Sequence, residues 1–174
     1  MTTAAMDRIL ILMRHAAAAP HDPEGDHERD LSHQGKRDAE AVGAWLRQHS
    51  IGIDEVLCST AERTRQTAAG VWAGGCPEAD VRFDTRLYNA DPTSLLDVIR
   101  EADHDANVVL VIGHAPGIPA LASLLADGDG SRKAHEALGA GFPTGGVAVL
   151  TYAGAWSDLT PGAARLSDFA APRG

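Results

Sequence analysis

The sequence has no apolar run approaching the roughly 20 residues that a membrane-spanning helix requires. Met1 to Asp7 carries neither a basic residue nor the long apolar core of a secretory signal, so a membrane partner is not expected and a cytoplasmic location is. Cysteine is scarce. Cys58 and Cys76 have neither CxxC spacing nor histidines at zinc-finger spacing, which favours buried or idle thiols over a disulfide or a structural metal. Positive charge is also in deficit: 15 Lys and Arg stand against 24 Asp and Glu, a formal net charge of −9. Most of the surface therefore repels a polyanionic backbone, and no nucleic-acid partner is expected. A small phosphorylated ligand remains compatible, because a few arginines focused in a cleft dominate locally. Linkers, internal repeats and low-complexity tracts are missing too, and one domain over 1–174, with ends that fray, is expected. Nothing in the sequence sets the oligomeric state.

What is present begins with two short continuous apolar runs, Ile9 to Met13 and Val108 to Ile112, rich in β-branched residues and too short for buried helices. They read as central strands covered on both faces. Ala39, Val42, Gly43 and Leu46 recur at helical spacing, as do Thr64, Ala68, Val71 and Trp72, and Ile118, Leu121, Ala122 and Leu125. Glu55 to Leu57 and Val81 to Phe83 supply further strands, and Thr93 to Glu101 a helix that starts at a Thr cap. Strand and helix alternate four times, and Val147 to Tyr152 adds a final strand of open direction. That order predicts an α/β fold, a three-layer α/β/α sandwich with a mostly parallel central sheet.

Both central strands end in a histidine, Arg14-His15 and Gly113-His114. In open α/β sheets ligands bind outside the carboxyl ends of the strands, so two strands deliver imidazoles to the edge where a site belongs. A single histidine in such a place is more often structural. The arginines change the reading: Arg14 adjoins His15, and Ser59 to Thr67 opens a helix at the carboxyl end of another strand, carrying Arg63 and Arg65. Residues two apart on a helix point in different directions, so one of this pair belongs to a solvated face, and Arg63 is the one assigned to the pocket. Two guanidiniums offer planar forks of donors that suit phosphoryl oxygens.

Leu-Ile-Leu-Met-Arg14-His15-Ala16 resembles the Arg-His-Gly motif of the histidine phosphatase, or phosphoglycerate-mutase-like, superfamily. Arg29-Asp30-Leu31-Ser32 with Gly35, Ser59 through Arg63 to Gln66-Thr67, and Val111 to Gly117 resemble, in order and spacing, its short bacterial phosphohistidine phosphatase branch. Phe142 to Gly146, Trp156 and Leu166 extend the likeness over nearly the whole chain. The resemblance implies a phosphoglycerate-mutase-like fold and a metal-independent phosphatase that needs no cofactor. In that reading His15 is the nucleophile that becomes phosphohistidine, and Arg14, Arg63, His114 and the Ala115 position hold the phosphoryl group. The chemistry fits independently, since a neutral imidazole is nucleophilic near neutral pH without a further base. Expected substrates are a phosphorylated protein or a small phosphomonoester.

Two departures from the family pattern matter. Ala16 replaces the usual glycine after the nucleophile, and Leu87-Tyr88-Asn89 stands where many members place an acidic proton donor. An alkoxide leaving group needs that proton, whereas an imidazole needs it less, so phosphohistidine and aryl phosphates fit best. Asp84, Tyr88 or Asp22 are candidates to compensate. The loop Ala16 to Asp30 gathers His21, Asp22, Glu24, Asp26, His27 and Glu28, but its irregular spacing suits a mobile rim better than a metal site. A cysteine phosphatase is out of register, because Arg63 follows Cys58 after four residues and Arg65 after six instead of five. Gly139 to Gly146 lacks the Lys-Ser/Thr end of a P-loop and reads as a turn-rich connection. The remaining alternative is a catalytically weak module of the same fold that binds phosphorylated ligands.

Overall fold

The computed structural model describes residues 7–174, so the segment read for a secretory signal lies, apart from Asp7, outside the described residues. The elements follow as β1 (Arg8–Arg14), α1 (His33–Gln48), β2 (Glu55–Ser59), α2 (Glu62–Ala73), β3 (Asp80–Asp84), α3 (Pro92–Ile99), β4 (Val108–Gly113), α4 (Gly117–Leu125), β5 (Ala126–Gly130), α5 (Arg132–Ala140), β6 (Val147–Tyr152) and β7 (Ala164–Ala170). The strands form one sheet in the order β3-β2-β4-β1-β6-β7-β5. Neighbours pair in parallel except at β6, which runs antiparallel to both β1 and β7.

The two apolar runs are continuous because both faces of β1 and β4 are covered. Leu10, Leu12, Val109 and Val111 point to one side, where they meet Leu95, Ile99, Ile118 and Leu121 of α3 and α4. Ile11, Met13, Leu110 and Ile112 point to the other, against Val42 and Leu46 of α1 and Ala68 and Val71 of α2. This is the expected three-layer sandwich with a mostly parallel sheet. Apolar burial on both faces stabilises the centre of the sheet and holds the carboxyl ends of β1 and β4 side by side, with Arg14 registered on Gly113.

Several local expectations are corrected. Val147 to Tyr152 is not the last strand, since β7 follows it in the chain and pairs with both β6 and β5. β5, Ala-Asp-Gly-Asp-Gly, carries no apolar alternation; it is an irregular edge strand whose Gly128 and Gly130 have positive φ. Arg132–Ala140 is helical where no helix was expected, because only Ala134 of its residues is buried and its apolar stripe is short. Gly139 and Ala140 thus form the last residues of a helix, and the turn-rich connection begins at Gly141. The helix read from a Thr93 cap begins instead at Pro92, capped by the Asp91 side chain, which accepts from Ser94 N at 2.8 Å. Proline at the first helical position has no N–H to leave unpaired. The carboxyl terminus packs back on α1 and the turn after α5: Gly174 N donates to Asp38 Oδ1 at 3.1 Å, and Arg173 donates to Thr144 O at 2.9 Å.

Gly35, part of the motif after Arg29, has a steric reason to be glycine. A Cβ there would stand 2.0 Å from Ala17 O, two residues beyond His15. Helix α1 therefore lies directly against the loop that leaves the nucleophile position. Gly35→Ala is expected to destabilise the fold by ~1–3 kcal/mol through overpacking, read as a lower urea midpoint with an unchanged slope.

Candidate active site

His15 and His114 leave the ends of β1 and β4, and His15 N donates to Gly113 O at 2.9 Å, tying the two strand ends together. Their rings lie 5.3 Å apart between centroids. The turn after α5 fixes the same edge from the far side, because Gly145 N donates to Arg14 O at 3.1 Å and His15 O at 3.0 Å. Arg63 arrives from the first turn of α2, and Thr67, one turn further, accepts from Ala16 N at 3.1 Å while donating to Arg63 O at 2.7 Å. Gln66 holds the neighbouring loop by accepting from Leu31 N and donating to Asp30.

Arg14, His15, Arg63, His114 and Ala115 line one hollow of about 370 Å³, with Asn89, Arg29 and Thr144 at its walls. The five residues singled out from the sequence are thus brought together. Arg65 is not among them: its guanidinium lies 4.0 Å over the Phe83 ring and donates to Thr60 O. Asp84 is turned to Arg86, and Asp22 caps the local backbone at Glu24. Of the three candidates to replace a missing acid, Tyr88 alone reaches the edge of the site, where its ring stands edge-on to His114 at 5.5 Å.

The hydrogen bonds indicate the tautomer of each imidazole in the ligand-free protein. The Nδ1–H of His15 donates to Ala16 O at 2.7 Å, which leaves Nε2 as the lone-pair nitrogen. Arg63 can only donate, so its Nη2 contact of 3.3 Å makes His114 Nδ1 an acceptor and puts the proton on Nε2, which faces Ser59 Oγ at 2.8 Å. Among the described residues, Arg63 Nε and Arg14 Nε are buried without a partner. Donors of this kind are costly to leave unpaired and suit an incoming anion.

Burial pushes His15 down to about 4, aided by Arg63, Arg14 and Arg29 and opposed by the bond to Ala16 O. Burial and then Arg63 push His114 down to about 3. Both rings are neutral near pH 7. Their folded values lie below the unfolded value of about 6.5, so the native state binds fewer protons. Their contribution to stability is full above the unfolded value and is lost as pH falls through about 4 for His15 and about 3 for His114. In the ligand-free protein the imidazole ¹⁵N shifts of His15 are expected to titrate near pH 4. A midpoint at the ordinary value would contradict this burial.

Sequence reasoning left Asp26 in a mobile rim and Arg29 in a motif without a contact, and the structure brings both to the site. Asp26, in the 3-10 turn Asp26–Glu28, receives Arg63 Nη2 on Oδ2 at 3.1 Å, Arg63 Nη1 on its carbonyl at 2.8 Å and Arg29 Nη1 on Oδ1 at 2.9 Å. The Tyr88 hydroxyl donates to the same Oδ2 at 2.5 Å. Arg29 also donates to Ala19 O at 2.8 Å, and so joins both walls of the acidic loop. The i,i+3 pair Asp26 and Arg29 was the available signal, hidden in a segment without periodicity. The loop is pinned to the site by Asp26, Arg29 and His27, whose Nε2 meets Thr60 Oγ1 at 2.9 Å. Among the described residues, the group close enough to share a metal ion is Asp103, His104 and Asp105, exposed before β4, and not the acidic loop. Cys58 and Cys76 are free and buried, with burial pushing Cys58 up to about 12.

Comparison with known proteins places this geometry. The family model of the histidine phosphatase superfamily, branch 1, matches residues 10–92, which take in the end of β1 with His15, then α1, β2, α2 with Arg63, and β3. An uncharacterized protein of Mycobacterium tuberculosis, Rv1276c, is 42% identical over 162 residues, covering 92% of this chain and 100% of its own. A solved structure from Nakamurella multipartitia, described as a phosphohistidine phosphatase SixA, is 41% identical with a TM-score of 0.86, covering 98% of this chain and 99% of that one. Its counterpart from Agrobacterium tumefaciens is 32% identical with a TM-score of 0.76 over 95% of this chain and 99% of that one. With a histidine at the end of each central strand, a buried arginine from α2 and likeness along the full chain, this protein belongs to the histidine phosphatase superfamily.

Proposed function

We propose that this protein is a cytoplasmic, single-domain phosphatase that transfers a phosphoryl group to His15 and then to water, acting on phosphohistidine in proteins or on phosphomonoesters with good leaving groups. The observation that carries the reading is the pairing of a free His15 Nε2 with two buried, unpartnered guanidinium nitrogens, Arg14 Nε and Arg63 Nε. His15, Arg14 and Arg63 line one hollow.

In the first step His15 Nε2 forms a bond to phosphorus as the bond to the leaving atom breaks. Its Nδ1–H, held on Ala16 O, keeps the ring in the productive tautomer and meets the positive charge that develops on it. Arg14 and Arg63 face the three equatorial oxygens, and fixed donors in a buried cleft are worth far more than in water. His114 donates to the phosphoryl group once its proton sits on Nδ1. Ser59 Oγ, able to donate or accept, then donates to Nε2. In the second step water attacks phosphorus, the P–N bond to His15 breaks, and inorganic phosphate leaves.

Asn89 lines the hollow where a carboxylic acid would protonate an alkoxide. Substrates that do not require that proton are therefore favoured, and the SixA descriptions of the relatives agree with phosphohistidine among them. Among the described residues no helix is long and apolar enough to cross a membrane. The test is release of inorganic phosphate from a phosphohistidine peptide, p-nitrophenyl phosphate and an alkyl phosphate. Turnover of the first two well above the third is expected, and failure on all three would overturn the assignment.

A further inference from the structure

We infer that Asp26 is a specificity-determining residue that favours N-phosphorylated imidazole over oxygen-linked phosphates by accepting a hydrogen bond from the protonated leaving ring. The inference rests on the phosphatase reading and names the substrate class of the same site.

Asp26 lines a groove with Pro20, His21, Asp22, Pro23 and Gly25, and it touches the neighbouring phosphoryl pocket through its bonds to Arg63 and Arg29, two residues of that pocket's lining; Arg29 borders both hollows. The carboxylate is half exposed and therefore reachable by the part of the substrate that lies beyond the phosphoryl group. Its partners in the free protein, Arg63, Arg29 and the Tyr88 hydroxyl, hold it ionised, well below the usual carboxylate range, with the Tyr88 bond the largest cause. It cannot serve as the acid that an alkoxide needs. It can serve as an anion beside a cation.

The incoming phosphoryl dianion competes with Asp26 for the donors of Arg63. As Arg63 turns to phosphoryl oxygens, the carboxylate loses part of its compensation and gains from a new N–H donor. Phosphohistidine brings one. With phosphorus on one ring nitrogen and a proton on the other, the ring carries positive charge, and Asp26 accepts from that second N–H. His15 Nε2 then bonds to phosphorus, the P–N electron pair stays on the departing nitrogen, and the ring leaves as neutral imidazole still holding its proton. Atoms and charge balance without a proton donor. An aryl or alkyl phosphate offers no such cation and meets only the negative charge of Asp26 and Asp22.

The experiment measures kcat/KM for a phosphohistidine peptide and for p-nitrophenyl phosphate in the wild type, Asp26→Asn and Asp26→Glu. A charged hydrogen bond of ordinary strength predicts that the P–N to P–O ratio falls roughly tenfold in Asp26→Asn and is largely restored in Asp26→Glu. An unchanged ratio in Asp26→Asn, with both substrates altered together, would show that Asp26 merely positions Arg63, and would overturn the inference while the phosphatase reading stands. A wild type inactive on both compounds would sink that reading and this inference with it.

Discussion

His15→Ala is expected to reduce turnover of any substrate by roughly 10⁴-fold or more, because removal of a nucleophile leaves only the background that bound donors provide. No other side chain of the hollow can take its place. His114 presents Nδ1 to Arg63 and Nε2 to Ser59, so neither nitrogen is free as His15 Nε2 is. The fold should persist, since the backbone bonds from His15 N to Gly113 O and from Gly145 N to His15 O do not involve the ring. Steady-state kinetics on p-nitrophenyl phosphate, with the thermal transition as control, checks both halves. Residual activity within a hundredfold of wild type would assign the chemistry to another group.

Arg63→Ala carries the second large effect, a loss of ~10²–10³ in kcat, the scale seen when one preorganised donor to a developing anion is removed. Arg63 is almost fully buried at 4% exposure, so its substitution also strips His114 Nδ1 and Asp26 of their common partner. The Asp26 carboxylate, left with Arg29 and the Tyr88 hydroxyl as partners, then faces the incoming dianion with less positive charge beside it. Arg63→Lys should not rescue, because a single ammonium cannot span Asp26, His114 and a phosphoryl oxygen as the planar fork does. Arg65→Ala, stacked outside on Phe83, is the control and should stay near wild type. Equal losses at positions 63 and 65 would contradict the geometry.

The sheet centre and its two terminal histidines were legible in the sequence because burial on both faces leaves an unmistakable run of β-branched residues. Each such strand must deliver whatever follows it to the same edge. Helical geometry separated Arg63 from Arg65 without saying which of the two faces the site. β7 went unread although Ala164 and Leu166 alternate with the exposed Arg165 and Ser167, whereas β5 and α5 were not legible, since an edge strand of Asp and Gly and a helix with one buried alanine carry almost no periodic signal. The same holds for Asp26, Arg29 and the contact of Ser59 with His114. Such residues act through long-range contacts from irregular loops, and spacing along the chain does not encode which loop folds back over the site.

The most direct measurement is a rapid quench of the enzyme mixed with saturating substrate, followed by mapping of the bound phosphate. The account predicts a phosphoenzyme that is labile in acid and stable in alkali, located on His15 and missing from His15→Ala. Rapid turnover with no trapped phosphate, or phosphate mapped to a different residue, would contradict it.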